Sequence, residues 1–348
     1  MAATATTATV TRLPLPSYLR LAAAVNGVVA AIIAFVVAAL ASSRASAHAL
    51  SPLAMAGLVT GAAATTGVVS WINGLHNGAL DRARGVAVLR CAGGDTCRFK
   101  PRTDPFTRLW RDALTWGGLA AAWAAAGGGL LAVALNGRHA GLWVIFVAMA
   151  ALFGLAAVAI DVVARHQGAH VDTIDGAVPL RRRAWREIAV PLALFQMGVN
   201  MGVALMLFHD YTPGREAGFH VLTPTVALAD VPITVILVGV VFNLLAGGWG
   251  TAELRLGRLA DPSLNADVAG GNAGVQRMRE EAPIGVQAFV YTGLVGVVLA
   301  PLFSMLLPAA PSLLATAVVR ALFAGSLIFA TTGMAFVRGA LNGRAELA

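Results

Sequence analysis

Residues 279–308, REEAPIGVQAFVYTGLVGVVLAPLFSMLLP, read as a charged lip followed by an apolar helix that carries Gln287 and Tyr291 one turn apart. The same order of parts stands upstream in residues 108–135, RLWRDALTWGGLAAAWAAAGGGLLAVAL. Here too an acidic residue at the lip precedes an aromatic and then Gly-Leu. Setting Trp116 on Tyr291 places Gly118-Leu119 on Gly293-Leu294. Further pairs keep nearly the same spacing: Gly67-Val68-Val69 with Gly239-Val240-Val241, Gly78 and Asp81 with Gly250 and Glu253, Val25-Asn26 with Val199-Asn200, and Ala151-Leu152-Phe153 with Ala321-Leu322-Phe323. A near-constant offset of 170–175 residues predicts a duplicated bundle.

The composition says where such a bundle resides. Hydrophobic residues make up 58% of the 348, charged residues 12%, and the mean hydropathy is +0.75. A soluble domain carries roughly a quarter charged residues, so the fold class is an all-α polytopic membrane bundle. Eight apolar runs are long enough to cross ~30 Å of hydrocarbon at ~1.5 Å per residue. They fall near 19–42, 51–73, 113–135, 141–163, 187–208, 231–252, 286–307 and 312–336. The first is preceded by Arg12 and Arg20 and followed by Ala45-Ser46-Ala47, as in a signal peptide, but its apolar run is too long for one.

The chain thus divides into an N-tail (1–18), a first four-helix repeat (19–163), a basic loop (164–186), a second four-helix repeat (187–336) and a C-tail (337–348). With four spans per unit, the repeats lie in parallel about an axis along the membrane normal. Twenty-one Lys and Arg fall in tails and loops on one side, whereas the opposite loops hold only Arg44, Arg138 and Arg215. That asymmetry places both termini in the cytoplasm. The net charge of +8 therefore reports topology and contact with anionic lipid rather than nucleic-acid binding. The basic inner loops also offer a surface for a cytoplasmic protein partner. Segment 259–275, rich in Gly, Asn, Asp and Ala, reads as a flexible linker.

Polar residues within apolar spans are costly and single themselves out. The candidate polar seam between the repeats is Asp112, Gln287, Tyr291 and Arg320, with Asn26, Asn200 and Asn243 as helix-to-helix hydrogen-bonding groups. Arg320 is the deepest charge and needs a partner, for which Asp210 and Asp230, at the outer ends of neighbouring spans, could serve. Asp161 and His209, near span ends, read as interfacial and water-exposed. Gln196 and Asn200 share a helix face. Gly117, Gly118 and Gly127 to Gly129 give span three a small-residue surface suited to close helix packing, inside the chain or in a homodimer. Cys91 and Cys97 stand alone without a nearby His pair, so no metal site is expected. No HExxH, GxSxG, Walker A or dinucleotide fingerprint occurs, and no enzymatic activity is expected.

Several of these stretches resemble the heliorhodopsins, seven-span retinal proteins whose N-terminus faces the cytoplasm. Leu19-Arg20-Leu21-Ala22 is similar to the entry of the family's first helix, and Asn26 stands where a His often does. Trp110-Arg111-Asp112 resembles the Trp-x-Glu that carries the Schiff-base counterion. Residues 149–154, MAALFG, are similar to a Met-x-x-Phe-Gly region with one extra residue. Phe242-Asn243 resembles the Phe-Asn of the sixth helix, and Arg279-Glu280-Glu281-Ala282 the lip of the seventh. The resemblance covers roughly residues 17–305 and implies a rhodopsin-like seven-helix core. It breaks at the chromophore: the position of the retinal-binding lysine is Tyr291, and Lys100, the one lysine in the chain, lies in a hydrophilic loop. A Schiff base requires an amine, so covalent retinal is excluded, while a non-covalent retinoid or lipid remains open. Two function classes follow from the sequence: a retinal-free scaffold or sensor, and a transporter or proton or ion channel using the polar seam.

Overall fold

The computed structural model describes residues 12–13, 17, 19–20, 26–35, 38, 52–83, 88–89, 104–135, 142–169, 177–213, 221–222, 224–228, 231–260 and 284–345. Along 231–240 and 284–292 it describes the helix but not the side chains. Cys91, Cys97, Lys100, Asp230, the lip residues 279–282 and most of the 259–275 segment therefore lie outside the described residues, as do the side chains of Gln287 and Tyr291.

The described chain is a helical bundle. Its helices are α1 (Asn26–Phe35), α2 (Pro52–Ala83), α3 (Leu109–Leu135), α4 (Leu142–Gly168), α5 (Val190–Leu207), the short α6 (Pro224–Leu228), α7 (Val231–Arg255), α8 (Ile284–Met305) and α9 (Leu313–Ala345). Runs of Ala, Leu, Val and Gly leave no side chain to satisfy a backbone amide, and helix formation pairs every such group within the segment, as hydrocarbon requires. Among the described residues, four segments, Leu53–Asp81, Trp143–Gly168, Arg182–Leu207 and Leu313–Asn342, are long and apolar enough to cross a membrane. A belt of exposed apolar side chains, among them Leu130, Trp143, Val147, Leu155, Val297 and Met305, fits solvation by lipid tails.

Side-chain contacts fix the helix directions. Along α2, Gly57 packs on Met206, Gly61 on Val203 and Thr65 on Gln196, so α5 runs antiparallel to it. Trp71 stacks on Trp116 while Val59 meets Gly128, making α3 antiparallel as well. Gly74 lies against Ala164 and Gly168 against Ala79, so α4 is parallel to α2. Trp185 packs on Gly333 and Met197 on Gly325, which sets α9 antiparallel to α5. The C-terminal ends of α2, α4, α7 and α9 thus share one end of the bundle with the N-terminal ends of α3 and α5. That end is rich in Arg and is called the basic end below.

The helices overrun the expected spans there. At ~1.5 Å per residue the 32 residues of α2 measure about 48 Å, well beyond ~30 Å of hydrocarbon. Residues 74–83, expected to open the long inner loop, are helical and carry His76 and Asp81. Likewise α4 continues to Gly168, and Arg182–Ala189, from the end of the expected basic loop into the next span, form a π-helical turn that leads into α5. The wide turn directs Arg183 inward, while Arg181, Arg182 and Arg186 stay exposed.

Two tight crossings recur. Gly78 and Gly168 bring α2 and α4 together, each against the other helix's backbone at Arg165 and Leu75. Gly250 and Gly339 do the same for α7 and α9, at Phe336 and Gly247. All four positions of one crossing map onto the other with an offset of 171 or 172 residues. The glycines of α3 divide by face: Gly117 packs on Val68 and Gly127 on Leu152, whereas Gly118 and Gly129 border open space.

Candidate functional site

Of the expected polar seam, Asp112 and Arg320 lie at opposite ends of the bundle. Asp112 is partly exposed at the basic end, 3.6 Å from Arg108 of the turn before α3 and 3.4 Å from Arg111 of its own helix. Arg320 sits toward the opposite end, buried, where Nη1 donates to the backbone oxygen of Ala227 and the guanidinium lies 5.5 Å from the Phe208 ring centroid. Asp210, one of its expected partners, is 2.6 Å from His209. Asn200 Nδ2 donates to the backbone oxygen of Gln196, whose Nε2 donates to Thr65. Asn243 accepts from Arg338 at 3.0 Å, and Asn26 accepts from Asn73 at 3.5 Å.

The ionic groups that do converge are at the basic end, and Glu253 is their hub. It lies on the last turn of α7 with 0% exposure. His76 Nε2 approaches Oε1 at 3.0 Å, and Arg183 Nη2 donates to the same oxygen at 2.6 Å. Arg258 Nε stands 3.2 Å from Oε2. Arg183 Nη1 also reaches Glu187 at 2.8 Å, and Arg182 reaches it at 3.0 Å. Arg258 Nη1 donates to Asp104 at 3.0 Å, and its guanidinium lies 4.3 Å from the Phe106 ring centroid. The other oxygen of Asp104 accepts from the amide of Phe106 and so caps the 3-10 turn Pro105–Arg108 that leads into α3.

Packing holds His76 in place. Its ring is nearly parallel to Trp249, with centroids 5.8 Å apart, and meets Phe106 edge-on at 5.0 Å. Nδ1 is 2.7 Å from the backbone oxygen of Ile72. A carbonyl only accepts, so Nδ1 carries a hydrogen, and the contact between Nε2 and Glu253 requires one more proton between ring and carboxylate. Three guanidinium groups and one imidazole therefore face three carboxylates. Positive charge at least matches negative charge in this cluster, as a buried ionic group requires.

The cluster joins the two halves of the chain. His76 and Asp104 belong to the first half, and Arg183, Glu253 and Arg258 to the second. Trp110 of α3 adds a bond from its indole Nε1 to the backbone oxygen of Glu187 at 2.7 Å. At the opposite end α2 and α5 meet through glycines and apolar side chains instead.

A second group lies within the first half. Asp161 of α4, expected at a wet interface, has 0% exposure. Arg165, one turn on, contacts its Oδ2 through Nε at 3.2 Å and Asp81 of α2 through Nη1 at 3.0 Å. The expectation that segment 164–186 is basic surface thus fails for Arg165 and Arg183, which are interior. Among the described residues, no three His, Cys, Asp or Glu side chains converge as metal ligands. No family model matches the chain, and neither a curated protein nor a solved structure matches it.

Proposed function

We propose that the chain is a multi-pass, non-enzymatic membrane transporter built from two parallel four-span halves. Both termini face the cytoplasm, and the Glu253 cluster is the lock that closes the halves against each other on that side. The observation that carries this reading is the placement of a fully buried ionic hub across the boundary between the halves. Apolar packing would hold two helices at least as well as a desolvated ion pair, so stability alone does not call for one. Ionic contacts at a boundary suit an interface that opens, because water can solvate each partner once they part. The recurring glycine crossings support the duplication and make each half a tightly joined unit. The basic end is cytoplasmic by its charge.

The other reading is a retinal-free relative of the heliorhodopsins acting as a scaffold or sensor. In the stretch Trp110-Arg111-Asp112 that carries the resemblance, Trp110 donates to the backbone oxygen of Glu187, and Asp112 is engaged by two half-exposed arginines of its own lip. A counterion role would have it face the bundle interior, so the geometry favours transport.

Spin labels at the exposed positions Arg111 and Arg181, in a background with Cys91 and Cys97 changed to Ser, test the lock in liposomes. The parent should show a dominant short separation, and Glu253→Gln should raise the share of a longer one several-fold, with Arg258→Gln giving a smaller rise. One unchanged distance distribution in all three would remove the lock. The orientation is tested by an impermeant thiol reagent, which should reach Cys91 and Cys97 only after the cytoplasmic face is opened.

A further inference from the structure

The Asp161 carboxylate has a buried oxygen, Oδ1, that accepts no hydrogen bond; Oε2 of Glu253 accepts none either but has Arg258 at 3.2 Å, whereas the one guanidinium on Asp161 is shared with a second carboxylate. Groups from three helices act on it. From α4 comes Arg165, which divides its guanidinium between Oδ2 of Asp161 and Asp81 of α2. From α1 comes Asn26, which lends the carboxylate a side-chain hydrogen bond. The charged groups acting on it are thus Arg165 and Asp81, and a further titratable side chain, His166, is buried next to Arg165 on the same helix. Across from Oδ1 stands Gly74 of α2, whose bare backbone leaves no room for a larger neighbour. A side chain there would meet Oδ1, the backbone oxygen of Asp161 and the methyl of Ala164, each at 2.8 Å.

One guanidinium shared by two carboxylates, with one amide from Asn26, leaves the group short of positive charge, and an ionised oxygen in a dry interior costs far more than a neutral hydroxyl in the same place. Something must therefore bring positive charge to Oδ1. A metal cation needs several oxygen ligands and a cavity, and Gly74 and Ala164 fill that space. A proton needs neither. We infer that Asp161 is a proton-binding site of the first half, with the hydrogen carried on Oδ1 between α4 and the bare backbone of α2. All its contacts lie within the first half, so it stands whether or not the halves move on the lock.

Infrared spectra of the protein in lipid test this without any transported substrate. The parent at mildly acidic pH, where exposed carboxylates are still ionised, should show the C=O stretch of a protonated carboxylic acid, shifted in D2O, and Asp161→Asn should lose it. Asp81→Asn, at a partly exposed position, frees Arg165 to pair wholly with Asp161, so the band should persist only to a lower pH than in the parent. That variant decides the matter should Asp161→Asn not fold. A band retained in Asp161→Asn overturns the site, as does a band whose pH range is the same in the parent and Asp81→Asn. A band that vanishes when sodium replaces choline at constant pH also overturns it, because a metal ion would then occupy the place.

Discussion

Two ionic groups at the same end of this bundle use the same side chains to different effect. Around Glu253, guanidinium groups from two separate stretches reach one carboxylate, with Arg183 on one oxygen and Arg258 beside the other. Around Asp161, one guanidinium is shared by two carboxylates and an oxygen is left bare. The first lies between the halves and the second within one. Burial alone does not decide what a carboxylate does in such a protein, since both have 0% exposure. What decides it is how many donors the packing delivers, and from how many elements.

The largest expected effect follows from removing the hub. Glu253→Ala strands Arg183, Arg258 and His76 beside a cavity, and breaking a buried ion pair from one side costs roughly 3–5 kcal/mol. Thermal unfolding in detergent should show it as the strongest loss of any single change at this end. A loss no greater than that of an exposed charge would mean that water already solvates the cluster, and the contrast with Asp161 would collapse.

A smaller effect is expected where the comparison depends on helix spacing. Gly78 rests on the backbone of Arg165, so Gly78→Val must push α4 away and carry the shared guanidinium with it. Gly250→Val strains the corresponding crossing at the backbone of Phe336, away from Asp161. Overpacking of this kind costs typically about 1–3 kcal/mol. Both variants should lose stability, but only Gly78→Val should alter the carboxylic acid band assigned to Asp161. Equal spectra for the two would detach that band from the first-half cluster.

The helical bundle was legible in apolar runs, because hydrocarbon forces every such run into a helix. The clusters were not. A search confined to about 20-residue spans assigns His76, Asp81, Arg165 and Arg183 to loops, yet α2 and α4 continue past the hydrocarbon and a π-helical turn precedes α5. The signal was present in the pairing of Gly78 and Asp81 with Gly250 and Glu253, which fall at the two crossings and at the two clusters. Asp112 and Arg320 were conspicuous for their position in the sequence. Pairing of Asp112 with Arg108 or Arg111 is readable from their spacing of four and one residues, whereas the partner of Arg320 is not, because it is a backbone carbonyl, Ala227, that α6 brings to it.

Asp112 gives the smallest effect and the sharpest control. It is an acidic side chain at the same end as Glu253 and Asp161, with two arginines within 4 Å. By residue type and charge count it resembles the lock. Its arginines, however, are 49% and 63% exposed, so water competes for each partner and holding two long side chains in one geometry offsets the gain. Exposed pairs of this kind contribute about 0–1 kcal/mol and are weakened by salt. Asp112→Asn should therefore leave the unfolding temperature, the label separations and the carboxylic acid band as they are in the parent. A loss approaching that of Glu253→Ala would show that proximity of opposite charges, rather than their desolvation and the number of elements supplying them, sets the stability of this end of the bundle.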